Sequence, residues 1–341
     1  MAKHERKRKN NEHKHKSNEH KNKFSFKKFI AFILYISFFI AITSPFYVLY
    51  GPFQNVKKTL VGMVWGSRHR YLVEMFLSKD KIQSLVGSTK TAETKADEDI
   101  EKINIQHKND NEIIKYEIND KKFDGYLLEI KDPTRIKIAY TKYSDRGQKT
   151  SEMAKERNAV AAINGGSFVD KNYAGVGSTP GGFVISNGQV IYKDCDEDTP
   201  ANVIAFTKEG KLIVGDHSIN ELKACNVTEA VCFLAPTLII DGKKQIDDPQ
   251  CDGANPRTAV GQRADGTVLF LVTDGRKNLV KLGASLYDLQ KILYDHGAIN
   301  AGRLDGGYSS TMYYEGEVIN SPNEWDGERT VPTALYVEPE K

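Results

Sequence analysis

The sequence is short of histidine where hydrolytic or metal chemistry would use it. Of eight His in 341 residues, His4, His13, His15 and His20 lie in the first 28, which leaves His69, His107, His217 and His296. A His-rich metal centre in the body of the chain is therefore not expected. No G-x-S-x-G elbow and no G-x-x-x-x-G-K-[ST] loop occurs, which argues against a serine hydrolase and a P-loop nucleotide site. Cysteine is equally sparse: Cys195, Cys225, Cys232 and Cys251 form no C-x-x-C pair, so neither a zinc ribbon nor a dithiol motif is present. One or two disulfides and free buried thiols are both open readings of these four. Excess charge is missing too. The 48 Lys plus Arg against 45 Asp plus Glu give +3, and the first 28 residues hold eleven Lys/Arg and three Glu (+8), leaving −5 for the rest. A basic nucleic-acid surface is thereby excluded, and nucleic acid is not an expected partner.

Residues 29 to 50 form a run of 22 residues without a charge. At about 1.5 Å rise per residue it crosses a hydrocarbon core of about 30 Å. It is longer than the ~7–15 apolar residues of a signal-peptide core, and no A-x-A-like site follows, so it reads as an uncleaved signal anchor. Lys27 and Lys28 on its N-terminal flank predict an inside N-terminus and an extracellular C-terminal domain on a single-pass cell-membrane protein. Residues 1–28 are then a basic cytoplasmic head, a solvated flank with no catalytic role. Residues 51–108 divide into a stalk, with Val56, Leu60, Val64, Leu72, Met75, Phe76 and Ile82 at near-helical spacing, and a polar linker from 87 to 108.

The remaining 109–341 hold 23 of the 27 glycines and nine of the eleven prolines. Asn187-Gly188, Asp241-Gly242 and Asp265-Gly266, with Glu209-Gly210 as a weaker case, separate apolar stretches of strand length and predict antiparallel hairpins. Two helices are predicted, over 151–157 and 286–296. The second has Ser285 as N-cap, Asp288 three residues on, an apolar face of Leu286, Leu289, Ile292 and Leu293, and Gly297 past its end. The predicted class is α+β: a single mixed, sheet-rich domain with a few helices, preceded by the transmembrane helix and the helical stalk.

One arrangement occurs twice. The first helix leads to residues 158–163 and then Asn164-Gly165-Gly166; the second leads to 299–304 and then Asp305-Gly306-Gly307. A third apolar strand, 268–273, ends in Asp274-Gly275-Arg276. If these strands are neighbours running the same way, Asn164, Asp274 and Asp305 emerge at one sheet edge, where a pocket is predicted. The glycine pairs would let backbone N–H groups approach phosphate or sugar oxygens, or would simply allow tight turns. Tyr308, Ser309, Ser310 and Thr311 supply hydroxyls beside Asp305. Arg257, followed by Thr258, suits a grip on phosphate or carboxylate, or a structural ion pair. With a nucleophilic triad disfavoured, carboxylate acid/base chemistry led by Asp305 and Asp274 remains.

At these residues the sequence resembles the phosphodiester glycosidase family, found in the lysosomal uncovering enzyme and in many bacterial surface proteins linked to exopolysaccharide biosynthesis. The matching blocks are A-A-I-N-G-G-S-F (161–168), G-G-F-V-I-S-N-G (181–188), N-P-R-T-A-V-G (255–261), T-D-G-R (273–276) and L-D-G-G-Y-S-S-T-M (304–312). The resemblance covers roughly 120–338. It implies a family pocket made of Asn164, Gly165, Arg257, Thr258, Asp274, Arg276, Asp305, Gly306, Gly307, Ser309 and Thr311. Tyr308 stands where many relatives carry a third glycine. The implied activity is hydrolysis of a sugar-1-phosphodiester at the anomeric C–O bond, without a cofactor, on a glycan-type substrate outside the cell. In that reading Asp305 positions or deprotonates water, Arg257 and Arg276 hold phosphate, and Asn164, Ser309 and Thr311 hold sugar hydroxyls. Two alternatives stand beside it: a non-catalytic surface module for phosphorylated glycans, and a P–O-cleaving phosphodiesterase using an Asp-bound divalent ion.

Overall fold

A computed structural model describes residues 26–65, 71–86, 98–169, 176–278, 280–323 and 327–340. The four His of the basic head, and His69, lie outside the described residues. Helix α1 (Phe26–Tyr50) takes in the expected apolar run and begins three residues before it, so that Lys27 and Lys28 are part of the helix. It is long and apolar enough to cross a membrane.

The helices α2 (Gln54–Trp65), α3 (Tyr71–Glu74) and α4 (Lys79–Val86) fold onto one another around Val61, Val73, Leu77, Ile82 and Leu85, all buried. They are not the spacer that the sequence pattern suggests. Lys58 pairs with Asp248 at 2.7 Å, and a Cβ on Gly62 would stand 3.2 Å from the Asp252 carbonyl. Helix α2 therefore rests on the 248–253 turn of the sheet domain.

The chain then runs through β1 (Ile113–Asn119), β2 (Asp124–Ile130), β3 (Ile136–Tyr140), α5 (Thr150–Glu156) and β4 (Ala161–Asn164). Next come β5 (Phe168–Val169), β6 (Thr179–Pro180), β7 (Phe183–Ser186), β8 (Gln189–Lys193), β9 (Ala201–Thr207) and β10 (Leu212–His217). After α6 (Ile219–Ala224) follow β11 (Val227–Cys232), β12 (Ile239–Ile240), β13 (Lys243–Lys244), β14 (Arg257–Arg263) and β15 (Val268–Thr273). The last elements are α7 (Leu286–Asp295), β16 (Ala298–Leu304), β17 (Met312–Tyr314), β18 (Glu317–Val318) and β19 (Thr333–Val337). These make a seven-stranded sheet in the order β1-β2-β15-β14-β16-β12-β13 and two five-stranded sheets, β10-β9-β11-β7-β8 and β18-β17-β4-β19-β3. Among the described residues every pairing is antiparallel.

The mixed, sheet-rich class is thus as the turn signals predict. Asn187-Gly188, Asp241-Gly242 and Asp265-Gly266 close the β7–β8, β12–β13 and β14–β15 hairpins, and Gly210, with φ +92°, turns β9 into β10. Helix α7 carries the predicted capping box of Ser285 and Asp288, and Gly297 has φ +86° just past its end. Side chains alternate across the sheets. Val268, Phe270 and Val272 of β15 point into the core shared with the five-stranded sheets, while Leu269 and Leu271 point the other way, toward α7. Burial on both faces makes this strand a continuous apolar run. All four cysteines are free thiols; burial pushes Cys232 up to about 12 and Cys251 up to about 11.

The polar segment expected to be a linker is, over its described part, laid along the body. Asn104 N–H donates to Ala264 O at 2.9 Å, Gln106 N–H to Asp265 O at 3.1 Å, and Ile103 is buried. At its start the Glu98 carboxyl accepts from Val214 N–H at 3.0 Å and from the Asn300 amide, with His217 Nε2 at 3.8 Å. Polar residues that find partners on a sheet edge need no apolar periodicity, so the sequence pattern misses them. Burial raises Glu98 from 4.5 to about 8, against the Val214 N–H, which lowers it; Asp241 adds repulsion. A carboxyl raised in the folded state stabilises it fully below its unfolded value and loses that contribution as pH rises through the folded one. Unfolding stability, and amide-exchange protection of residues 98–106, should therefore fall as pH rises from 4.5 to about 8. Glu98→Gln should flatten that dependence; an unchanged slope in the variant would show that another group sets it.

Candidate active site

Strands β15 and β16 both pair antiparallel with β14, so they run the same way with β14 between them. Asp274 and Asp305 lie one residue past their ends. Asn164 ends β4, which belongs to a different sheet, so the three predicted strand ends are not neighbours in one sheet edge. They meet instead at the seam between two sheets. Asn164 makes the seam: it is fully buried, its Nδ2 donates to Asp305 O at 2.7 Å, and its Oδ1 accepts from Thr258 Oγ1 at 2.7 Å and Thr311 N–H at 3.1 Å. With those bonds made, this amide positions the Asp305 and Thr311 backbones and leaves little for a sugar hydroxyl.

The glycine pairs serve close packing. Gly165 N–H donates to Thr333 O at 2.9 Å and Gly166 N–H to Thr333 Oγ1 at 3.1 Å. A Cβ on Gly165 would stand 2.3 Å from Thr333 Oγ1, and one on Gly166 2.3 Å from Cys232 O. Gly307 has φ +65° and donates to Pro256 O at 2.8 Å. Three of the four predicted N–H donors are thereby committed to the protein, which corrects the expectation of a backbone phosphate cradle.

Arg257, predicted to hold phosphate, is closed on the protein. Its Nη1 meets Asp252 Oδ2 at 2.7 Å, its Nη2 meets Asp252 O and Gly253 O at 2.5 and 3.0 Å, and its Nε donates to Ala284 O at 3.2 Å. Arg303 shares the same oxygen, with Nη1 2.7 Å from Asp252 Oδ2, and donates to Leu234 O and Ala235 O. Burial alone would raise Asp252; the two guanidiniums hold it below the usual carboxylate range. Asp274 is also enclosed. Its Oδ1 accepts from Asn320 Nδ2 at 3.0 Å and Ser321 N–H at 2.9 Å, and Lys277 Nζ lies 3.3 Å from its Oδ2. It anchors the 320–321 loop and has little freedom for proton transfer.

What stays open centres on Asp305. Its carboxyl is enclosed by protein, although the residue as a whole is only half-buried. Burial raises it, while Ser309, Arg329, the Gly306 N–H and Arg303 pull the other way. Among the described residues Arg276 has no carboxylate partner: its Nη2 donates to Asn255 Oδ1 at 2.9 Å and its guanidinium lies 4.9 Å from the Tyr308 ring centre. The hydroxyls of Thr273, Ser309, Ser310 and Thr311 are buried without a hydrogen bond of good geometry to protein. Ser309 is nonetheless near enough to Asp305 to favour its ionised form. Among the described residues no three His, Cys, Asp or Glu converge as a metal site. His296 and His217 engage Glu129 and Glu98.

Sequence reasoning missed Asp252, Arg303 and Arg329. Arg303 had a signal: a charge inside the apolar strand 299–304 must be paired when buried. Arg329, over the Phe168 ring at 4.7 Å, had none. Removing Asp252 would leave two buried guanidiniums unpaired, and losing one partner of a buried pair costs about 3–5 kcal/mol. Asp252→Ala should lower the unfolding free energy by about that much in urea; a loss below about 1 kcal/mol would show that the carbonyls alone suffice for the two arginines.

The sequence profile of the phosphodiester glycosidase family matches residues 157–338. The chain is 32% identical over 195 residues to the SPbeta prophage-derived uncharacterized protein YomE of Bacillus subtilis (strain 168), a stretch that is 54% of this chain and 29% of that protein. It thus spans under a third of the length of that relative. The fold is similar to that of the zebrafish N-acetylglucosamine-1-phosphodiester alpha-N-acetylglucosaminidase catalytic domain auto-inhibited by pro-peptide, with TM-score 0.55 and 22% identity over 67% of this chain and 82% of that one. The profile match takes in β4, β14, β15, β16 and Asp305, and the chain belongs to the phosphodiester glycosidase family.

Proposed function

We propose that this chain is a membrane-anchored extracytoplasmic hydrolase that cleaves the anomeric C–O bond of a sugar-1-phosphodiester, of the N-acetylglucosamine-1-phosphodiester kind, in cell-surface or exopolysaccharide material. The observation that supports the reading is an enclosed carboxyl, Asp305, three residues before Tyr308, whose ring lies against Arg276, a guanidinium with no carboxylate partner among the described residues. A phosphate ester departs as a weak base, so its expulsion needs fixed positive charge more than a strong general acid. Arg276 supplies that charge, with Arg329 within electrostatic reach of Asp305. Asp305 orients and deprotonates the attacking water. Ser309, Ser310 and Thr311 offer hydroxyls to the sugar, while Arg257, Asn164, Thr258, Asp274 and the four glycines build the frame.

The test uses the full chain in detergent with an α-N-acetylglucosamine-1-phosphodiester, following the anomeric proton by NMR. Wild type should release free sugar, and Asp305→Asn should slow this by about 10²–10⁴, the usual worth of a general base. A base must be ionised, so kcat/KM should fall as pH drops through a value above the ordinary aspartate 3.8. Release of sugar-1-phosphate would move the cut to the P–O bond, and near wild-type turnover by Asp305→Asn would remove Asp305 from the chemistry.

A further inference from the structure

Three arginines point toward the end of β14 and β16, and they differ in what confronts them. Arg257 and Arg303 share one carboxylate oxygen of Asp252 at 2.7 Å each. Arg276 meets two polar neighbours and no carboxylate among the described residues: the Asn255 amide oxygen at 2.9 Å and Tyr308, whose ring centre is 4.9 Å away and whose hydroxyl is within hydrogen-bonding reach, while Arg257 is near enough to repel it. Each of these two neighbours is itself fixed. Asn255 exchanges backbone bonds with Ala284 at 3.1 and 2.9 Å, and its Nδ2 donates to Asp252 O at 3.4 Å, which orients Oδ1 toward the arginine. Tyr308 sits in the tight turn 307–309 that follows Asp305-Gly306, and Gly307 is pinned to Pro256 O. Arg276 has φ +57°, a left-handed conformation that a branched-free but bulky side chain adopts only when its surroundings impose it; its N–H donates to Leu282 O at 3.1 Å. The backbone is thus held in a costly turn whose effect is to bring this one guanidinium against the Tyr308 ring.

We propose that Tyr308 is a positioning residue that, with Asn255, holds the Arg276 guanidinium ready for an anionic oxygen of the substrate, so that Arg276 and not Arg257 is the phosphate grip of the site. The proposal rests on the phosphodiester reading above for its substrate, but its anion-binding part stands apart from turnover. An aromatic face attracts the cation without neutralising it, and a neutral amide oxygen orients it without competing for charge. A flexible arginine would lose that readiness to rotamer freedom. The same turn carries Asp305 three residues before Tyr308, so the ring couples the position of the cation to that of the carboxyl.

The experiment titrates inorganic phosphate into the full detergent-solubilised chain by calorimetry, for wild type, Arg276→Gln, Tyr308→Ala, Tyr308→Phe and Arg257→Gln, with sugar-phosphodiester turnover measured on the same samples. Loss of the arginine should abolish measurable phosphate binding. Tyr308→Ala should weaken it about tenfold, and Tyr308→Phe, which keeps the ring and loses the hydroxyl, by a clearly smaller factor. In turnover, Tyr308→Ala should raise KM by a similar factor and leave kcat within about threefold, a split that a general loss of folding would not give. Phosphate bound by Tyr308→Ala as tightly as by wild type overturns the positioning role; phosphate bound by Arg276→Gln as tightly as by wild type overturns the grip. Wild type without phosphate affinity overturns both. Phosphate binding as expected with no sugar released by wild type would sink the proposed hydrolysis and leave this inference standing. Arg257→Gln is the control for a merely structural arginine: it should destabilise the chain, and if its folded fraction loses phosphate affinity while Arg276→Gln keeps it, the assignment is reversed.

Discussion

Everything at the site hangs on one buried amide. Asn164 ends a strand of one sheet, and its side chain takes a hydroxyl from β14, an N–H from the chain entering β17, and gives a proton to the carbonyl of Asp305. A buried amide left without partners would cost about 1–3 kcal/mol for each polar atom, so the bonds specify the meeting of the two sheets as much as they strengthen it. The glycines around it follow from the same constraint. Gly165, Gly166 and Gly306 lie where any Cβ would stand under 3.0 Å from a neighbouring atom, because the sheets are drawn together at that point. Asp305 is therefore placed by backbone and amide geometry, and its carboxyl is left to Ser309, the Gly306 N–H and the charges of Arg329 and Arg303.

The electrostatics follow a division of labour. Arg257 and Arg303 would repel each other in a low-dielectric interior, and Asp252 between them makes their burial tolerable. That carboxylate stays ionised because two guanidiniums outweigh its desolvation. At Asp305 the balance tips the other way: burial is the largest influence and raises it, although Arg329 and Arg303 are in reach. A carboxyl held up by burial and a guanidinium that, among the described residues, meets no carboxylate suit the negatively charged substrate proposed above. A glycosidase for ordinary neutral glycans would more commonly show two facing carboxyls.

The parts of the fold that the sequence discloses are those set within a few residues. The N-G and D-G hairpins, the capping box and C-terminal glycine of α7, and the polar-Gly-Gly endings all depend on local backbone preference, and all stand where the pattern puts them. The repeated helix, strand, polar residue and two glycines marks strand ends but says nothing about which sheet each strand joins; β4 went to the other sheet, and the pocket became a seam. Likewise an arginine at a strand start reads the same whether a carboxylate waits for it or not. Arg257 met Asp252, five residues back, in a turn whose φ of +59° no periodicity announces. The hydroxyls of 308–311 were legible as a group, but the stacking of Tyr308 on Arg276 is a contact between two loops.

The residues before the sheet domain change how the site is bounded. Helix α2 lies against the turn that holds Asp252, close enough at Gly62 that an added Cβ would press on its carbonyl, and Gly253 in turn is packed against the backbone of Lys58 and Thr59. Asp252 donates no freedom of its own: its side chain and carbonyl are both bonded to Arg257. Helix α2 thus borders a carboxylate that balances two arginines, one of them, Arg303, on the strand that ends one residue before Asp305. The segment from 54 to 86 is for this reason packed onto the sheet domain rather than set ahead of it, and so is the strap from 98 to 106, whose Glu98 binds β10 to the Asn300 side chain of β16. The strand that delivers Asp305 is held at its start by the strap and near its end by the turn beneath α2.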